Sequence, residues 1–272
     1  MLRPVSDRER PASPVLTVEG VSLRYDGARG TVVAVENVSL SVARGERLAL
    51  VGPSGCGKSS LLRAIGGFLA PSAGRITLEG GAPISAPSPD RMTVFQEFDQ
   101  LLPWRTVAGN VRFAVRAARG LARAEADAKA RDWIARVGLA GFADAYPHTL
   151  SGGMKQRVAI ARAFAIQPDI LLMDEPFAAL DAMTRRQMQD ELLRLCEETR
   201  ATVIFVTHDI DEAIRISTGV LAMTPHPGRI AAEFASGGMG LAASVSAALE
   251  EDIRRVVHQG RLAETASEAA YG

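Results

Sequence analysis

Residues 52–59 read Gly-Pro-Ser-Gly-Cys-Gly-Lys-Ser, which satisfies the pattern GxxxxGK[ST] in full. An apolar stretch, Arg47–Val51, precedes it and a helical pattern opens at Lys58. Glycines there let the backbone curl until several N–H groups face inward, and a helix start adds partial positive charge. Lys58 is placed to reach the β- and γ-phosphates of a nucleoside triphosphate, and the Ser59 hydroxyl to ligate Mg²⁺. The candidate nucleotide contacts are therefore Gly52, Pro53, Ser54, Gly55, Cys56, Gly57, Lys58, Ser59 and Ser60. A glycine-rich turn of this kind can also bind nothing. A dinucleotide turn is disfavoured, because Ser60 stands where Gly55-x-Gly57 would need its third glycine.

A second element complements the first. Ile170-Leu171-Leu172-Met173 is a buried-strand pattern that ends in Asp174-Glu175. Two carboxylates there can serve one reaction: Asp174, at the strand end, holds the metal through a water, and Glu175 polarises the attacking water as general base. Alone, such a pair reads as solvated acids at a strand terminus. Downstream of a phosphate loop it reads as catalytic.

The elements that position these groups follow from patterning. Leu16–Leu23 and Val32–Leu40 suggest antiparallel strands around a glycine-containing turn. Met92–Phe95 is another buried strand, and GGAPISAPSPD before it is a loop or hairpin connection. From about Thr106 to Leu150 the composition turns Ala- and Arg-rich, with an amphipathic helix over Ala124–Val137. Strands return at Ile170–Met173 and Val203–Val206, separated by a helix over Ala182–Thr199. Strands alternating with helices imply a mostly parallel α/β sheet with a helical insertion.

Composition narrows the function classes. The chain of 272 residues is 47% hydrophobic, enough for a substantial core. Lys+Arg and Asp+Glu balance at 31 each, so no global basic field points to nucleic acid. Cys56 and Cys196 form no CxxC or Cys/His cluster and read as reduced thiols. Every apolar run is well short of the about 18 residues that span a bilayer. The charged, proline-rich start reads as a disordered extension rather than a signal segment. After Ser236 a Gly/Ser stretch and an amphipathic pattern over Ala247–His258 carry no evident chemistry.

Leu150-Ser151-Gly152-Gly153-Met154-Lys155-Gln156-Arg157 resembles the signature motif of the ABC ATPase family. Its logic is again a helix start, with Ser151, Gly152 and Gly153 offering N–H groups and a hydroxyl to an anion; an ordinary serine cap would look the same. Met154 departs from the glutamine usual there and leaves the Ser-Gly-Gly intact. Other elements resemble the family's in order. Tyr25 matches the aromatic that stacks on adenine. Gln96 matches the glutamine that senses Mg²⁺ and the water. Ala179-Leu180-Asp181 matches the loop that communicates across the dimer, and His208 the switch histidine on the γ-phosphate.

The resemblance runs from Val15 to Arg229. It implies a P-loop NTPase (RecA-like) α/β core with an N-terminal antiparallel β subdomain and an inserted α-helical subdomain. It also implies ATP and Mg²⁺, and a head-to-tail homodimer with ATP between Lys58 of one copy and Ser151 of the other. Catalysis would rest on Glu175, His208 and Gln96, and the metal on Ser59, Gln96 and Asp174.

Gln96 to Val107, with its Leu101-Leu102-Pro103-Trp104 run, resembles the segment by which importers of nitrate, sulfonates and taurine grip a permease. The expected organisation is an extension at 1–14, core at 15–96, a helical subdomain with the membrane-partner contact at 97–150, core again at 151–235, and a tail at 236–272. The implied partners are two permease subunits and an extracytoplasmic solute-binding protein, with no nucleic acid. This chain would be peripheral on the cytoplasmic face of the inner membrane. The alternative is a soluble ABC-type ATPase in nucleic-acid processing or regulation. Cys56, inside the loop, further suggests that alkylation inhibits and ATP protects.

Overall fold

A computed structural model describes residues 14–27, 30–95 and 100–236, together with 251, 253–255 and 257. The chain divides into two compact units, one from Met1–Pro87 with Arg200–Gly272 and the other Ser88–Thr199.

In the first unit, strands β1 (Pro14–Gly27) and β2 (Gly30–Ala43) pair antiparallel, and β4 (Ala73–Leu78) pairs with the other edge of β1. Leu16 and Val18 are buried, and so are Val21 and Leu23, a switch from even to odd positions. The register shift between Val18 and Val21 causes it. Gly20, at φ 57°, falls inside that shift, and the local bulge re-aims the apolar face inward.

The same unit holds a second sheet. Its strand β3 (Arg47–Val51) runs parallel to both β7 (Val203–Val206) and β8 (Gly219–Met223). β9 (Ile230–Ala235) pairs antiparallel with β8. Leu48, Leu50, Ile204 and Phe205 are fully buried, as a strand flanked on both sides requires. Each such side chain contributes about 2 kcal/mol of transfer free energy. Helices α1 (Lys58–Ile65) and α6 (Ile210–Ile216) belong to this unit.

The second unit has parallel strands β5 (Arg91–Val94) and β6 (Ile170–Asp174). Four helices complete it: α2 (Val107–Arg119), α3 (Arg123–Arg136), α4 (Gly152–Ile166) and α5 (Ala182–Thr199). In α2, Val107, Val111 and Val115 recur every fourth residue and are buried. Thr106 caps its start by accepting from the Gly109 N–H, and Gly120 ends it in the left-handed conformation. Trp133 of α3 stacks on Phe164 of α4 with ring centroids 5.7 Å apart.

The strands expected at Arg47–Val51 and Val203–Val206 and the helix at Ala182–Thr199 form with those bounds. The strand expected at Met92–Phe95 and the helix at Ala124–Val137 each begin one residue earlier. The alanine-rich β9 and the five-residue β8 carry no alternation, and periodicity cannot separate such short runs from buried helix. Residues 1–13 and the Gly/Ser stretch after Ser236 lie outside the described residues. Of the pattern over Ala247–His258, residues 251, 253–255 and 257 are described and helical, with Ile253 buried. Among the described residues no helix is long and apolar enough to cross a membrane.

Candidate functional site

The loop after β3 has two positions where only glycine fits. A Cβ on Gly52 would lie 2.8 Å from the Met223 carbonyl oxygen and 2.9 Å from the Cys56 sulfur. On Gly57, at φ 92°, it would lie 2.5 Å from a Val35 methyl and 2.6 Å from the Ala34 carbonyl oxygen. The backbone is thus pressed between β2 and the end of β8, with Ser54 and Gly55 at its exposed tip. That is a cradle a side chain would fill, suited to the close approach of a polyphosphate.

Lys58 lies over this loop, only 6% exposed. Its ammonium donates to the carbonyls of Gly52 and Pro53, both at 2.8 Å, and reaches the Cys56 sulfur at 3.7 Å. Cys56 is fully buried, and burial pushes its thiol pKa up, against the opposing pull of Lys58. The first turn of α1 has no acidic residue, so nothing there competes with an anion for the helix start. The Tyr25 hydroxyl donates to the Ser60 hydroxyl at 2.9 Å, which ties the aromatic ring to the first turn of α1. Tyr25 is 40% exposed, as a ring offered to a planar base must be.

His208 follows β7 and is exposed. The Thr207 N–H donates to the Leu50 carbonyl at 3.2 Å, so this end of β7 lies alongside the end of β3 that leads into the loop. Asp209 then caps α6, accepting from the Glu212 N–H at 3.1 Å. One unit therefore gathers Tyr25, Gly52 to Ser60 and His208 at the carboxyl ends of its parallel strands, where open α/β sheets bind ligands.

The second unit carries the other candidates. β6 ends at Asp174, and Glu175 follows at φ 44°, a left-handed conformation uncommon for a residue with a side chain. Strained backbone of this kind costs about 1 kcal/mol or more and concentrates at functional sites. The chain turns at once: the Ala178 N–H donates to the Glu175 carbonyl at 3.2 Å and the Leu180 N–H to that of Phe177 at 3.1 Å. Asp181 then accepts from the Thr184 N–H at 3.0 Å and caps α5. That bond, with the Thr184 hydroxyl, holds the Asp181 carboxyl below its ordinary range.

Ser151 is the N-cap of α4, its hydroxyl oxygen accepting from the Met154 N–H at 3.3 Å. The first turn of α4 also lacks acids. Gly153 is required by packing, since a Cβ there would lie 2.9 Å from the Thr184 methyl. The first turn of α5 and the Ser151–Gly153 turn thus pack closely within this unit. Gln96 lies outside the described residues. Its flanks are tied together, with Gln100 donating its amide to the Phe95 carbonyl at 3.0 Å and Arg162 donating to the Gln100 carbonyl at 2.7 Å.

Two features of the site were not visible as motifs. One is the Tyr25–Ser60 bond, which links positions 35 apart. The other is the turn at 224–228, which backs the phosphate loop; its two prolines and glycine signal a turn but not its neighbour. Among the described residues no three His, Cys, Asp or Glu gather as a metal cage. Mg²⁺ with a nucleotide needs few protein ligands, because the phosphates supply the rest, so a hydroxyl and a carboxylate fit it.

Comparison with known proteins agrees. The family model described as ABC transporter matches residues 35–178. A taurine import ATP-binding protein of Pseudomonas entomophila is 50% identical over 216 residues, covering 79% of this chain and 82% of that protein. One from Rhizobium johnstonii is 46% identical over 90% of this chain and 97% of its own length. A bicarbonate transport ATP-binding protein of Synechocystis is 46% identical over 80% of this chain and 77% of its own. A dimeric ATP-binding cassette solved in a post-hydrolysis state with ADP and Pi superposes at TM-score 0.71 and 32% identity, over 82% of this chain and 99% of that one. These matches give the described strands, helices and glycine loop one origin: the chain belongs to the ABC transporter family, as a nucleotide-binding, ATP-hydrolysing subunit of its importer group.

Proposed function

We propose that the protein binds Mg-ATP at Gly52–Ser60 and hydrolyses it with Glu175 as general base, energising import of a small anion. Tyr25 stacks on the adenine. The loop amides and Lys58 hold the β- and γ-phosphates, Lys58 exchanging the Gly52 and Pro53 carbonyls for phosphate oxygens. Ser59 and Asp174, with Gln96, hold Mg²⁺, which when bound neutralises charge on the β- and γ-phosphates. Glu175 takes a proton from the attacking water, whose oxygen bonds to the γ-phosphorus as the bond to the ADP oxygen breaks. His208 and Gln96 orient the water and the γ-phosphate. The first turn of α1 and the glycine cradle support this reading, as does the left-handed turn at Glu175.

Two copies are proposed to close head to tail, with Ser151, Gly152 and Gly153 of one against the γ-phosphate held by the other and Asp181 at their contact. A helix start without acids supports the Ser151 role, and the dimeric form of a solved relative supports the pairing. Hydrolysis removes the bridging phosphate and lets the pair open.

The helical subdomain at 97–150 is proposed to meet two permease subunits, with an extracytoplasmic solute-binding protein delivering the solute and this chain peripheral on the cytoplasmic face. The Leu101–Trp104 run divides: Leu101 is buried and packs the unit, while Trp104 is 70% exposed. Asn110 holds the run in place, accepting from the Leu102 N–H at 2.7 Å and donating to the carbonyls of Leu102, Arg105 and Thr106. An exposed tryptophan on a pinned turn is a suitable docking anchor.

The solute is proposed to be a sulfonate such as taurine or an alkanesulfonate, or a similar small anion such as nitrate. The observation that carries this is the 50% identity to a taurine import ATP-binding protein over four fifths of the chain. The test is purification of the tagged chain from gently solubilised membranes, followed by uptake assays in vesicles holding the complex. A co-purifying multi-span permease and ATP-dependent taurine uptake are expected. Recovery with nucleic-acid proteins and no permease would sink the transport reading.

A further inference from the structure

The turn between β8 and β9 runs close enough to the phosphate loop to limit side chains at three places. The Met223 carbonyl oxygen lies 2.8 Å from a Cβ position on Gly52. His226 Nε2 lies 3.3 Å from that on Gly55, with Cε1 at 3.8 Å. The Cys56 carbonyl oxygen lies 1.9 Å from that on Gly228, closer than any side chain permits. The turn follows the loop from its base to its exposed tip.

It is also fastened independently of the loop. The Gly228 N–H donates to the Ala34 carbonyl and the Glu36 N–H donates to the Gly228 carbonyl, both at 3.0 Å, so Gly228 bridges to β2. Arg229 pairs with Glu36 beside it. Within the turn, the Thr224 N–H donates to the Arg229 carbonyl at 2.9 Å and the Arg229 N–H to the Thr224 hydroxyl at 3.1 Å. Two neighbouring strands thus anchor a short brace whose free side meets the loop.

We propose that His226 is a positioning residue for the phosphate loop: its imidazole, exposed beside Gly55 where a side chain on that residue would meet it, limits the room open to the loop tip and favours the form that accepts the triphosphate. Gly55, exposed at φ 81°, has no side chain of its own to pack, so a neighbour that limits its movement matters there. A loop that must order itself on binding loses affinity, whereas one held in place does not. The brace acts on nucleotide binding rather than on the bond-breaking step, since it bears on the loop that holds the phosphates. The inference rests on the reading of Gly52–Ser60 as the ATP site.

The test is steady-state ATP hydrolysis and binding of a fluorescent ATP analogue by the full-length chain. Removing the support in His226→Ala should raise KM and Kd for ATP about five- to tenfold while kcat changes less than twofold, a uniform-binding loss. His226→Gln, planar and polar at similar reach, should recover part of the affinity, and the thermal midpoint of both variants should match wild type. Gly228→Ala, which forces brace and loop apart at Cys56, should weaken ATP binding further. Wild-type KM and Kd in His226→Ala would overturn the proposal, whatever Gly228→Ala does. Wild-type protein unable to bind ATP would overturn the ATP-site reading and this inference with it, an outcome read before any variant is compared.

Discussion

Cys56 shows how far a residue's chemistry departs from what its position in a motif suggests. Inside the loop it looks like a reactive thiol that ATP would shield. The fold buries it fully, and desolvation raises its pKa, so little thiolate forms near neutral pH. Labelling at pH 7 should therefore be slow, at least about tenfold slower than a free thiol, and should accelerate as pH rises. Modified protein should lose activity, since the sulfur sits 3.7 Å from the Lys58 ammonium, and ATP should slow the reaction further. Mass spectrometry of time points with and without ATP reads this; labelling at the free-thiol rate would show that the loop opens in solution. Glu175 makes the converse point. Its type and place were legible after an apolar strand, but its left-handed backbone was not, because a positive φ follows from the turn at 175–180.

Helix starts do much of the positioning, and their logic was visible in the sequence because a cap needs only a short polar side chain at the right place. Ser151 ahead of two glycines became a cap as read, whereas Asp181, read only as part of a loop that communicates across a dimer, caps α5 as well. At Asp181 the cap has a pH consequence. Its folded-state pKa is depressed, so the charged form adds stability above the ordinary carboxylate value of 3.8, and that share is lost as pH falls through the folded value. Asp181→Asn keeps an acceptor for the Thr184 N–H and removes the titration. Thermal midpoints measured from pH 6 downward should fall less steeply in Asp181→Asn than in wild type. Parallel curves would show that the carboxylate makes no such contribution.

The elements that escaped the sequence were those whose identity depends on distant partners. β8 and β9 are short and lack alternation, and the β1 pattern changes phase at a bulge. The brace at 224–229 is legible as a turn and illegible as part of the site, because its role arises from contact with residues about 170 positions away.

At the scale of the whole molecule, the chemistry is divided between two units. The proposed base, phosphate and switch contacts stand on one, with Thr207 beside Leu50 at the ends of β7 and β3; the two acids and the Ser151 turn stand on the other. Family membership was legible from one end of the matched region to the other because phosphate chemistry constrains residue types tightly. The solute was not, because nothing in the proposed mechanism brings this chain into contact with it.

The central claim, hydrolysis with Glu175 as base on ATP held by the glycine loop, is tested most directly by comparing turnover and ATP binding in wild type and Glu175→Gln. In Glu175→Gln, kcat should fall at least about a hundredfold, the scale of a lost general base, while ATP affinity is retained. Glu175→Gln protein that hydrolyses ATP at the wild-type rate would contradict it.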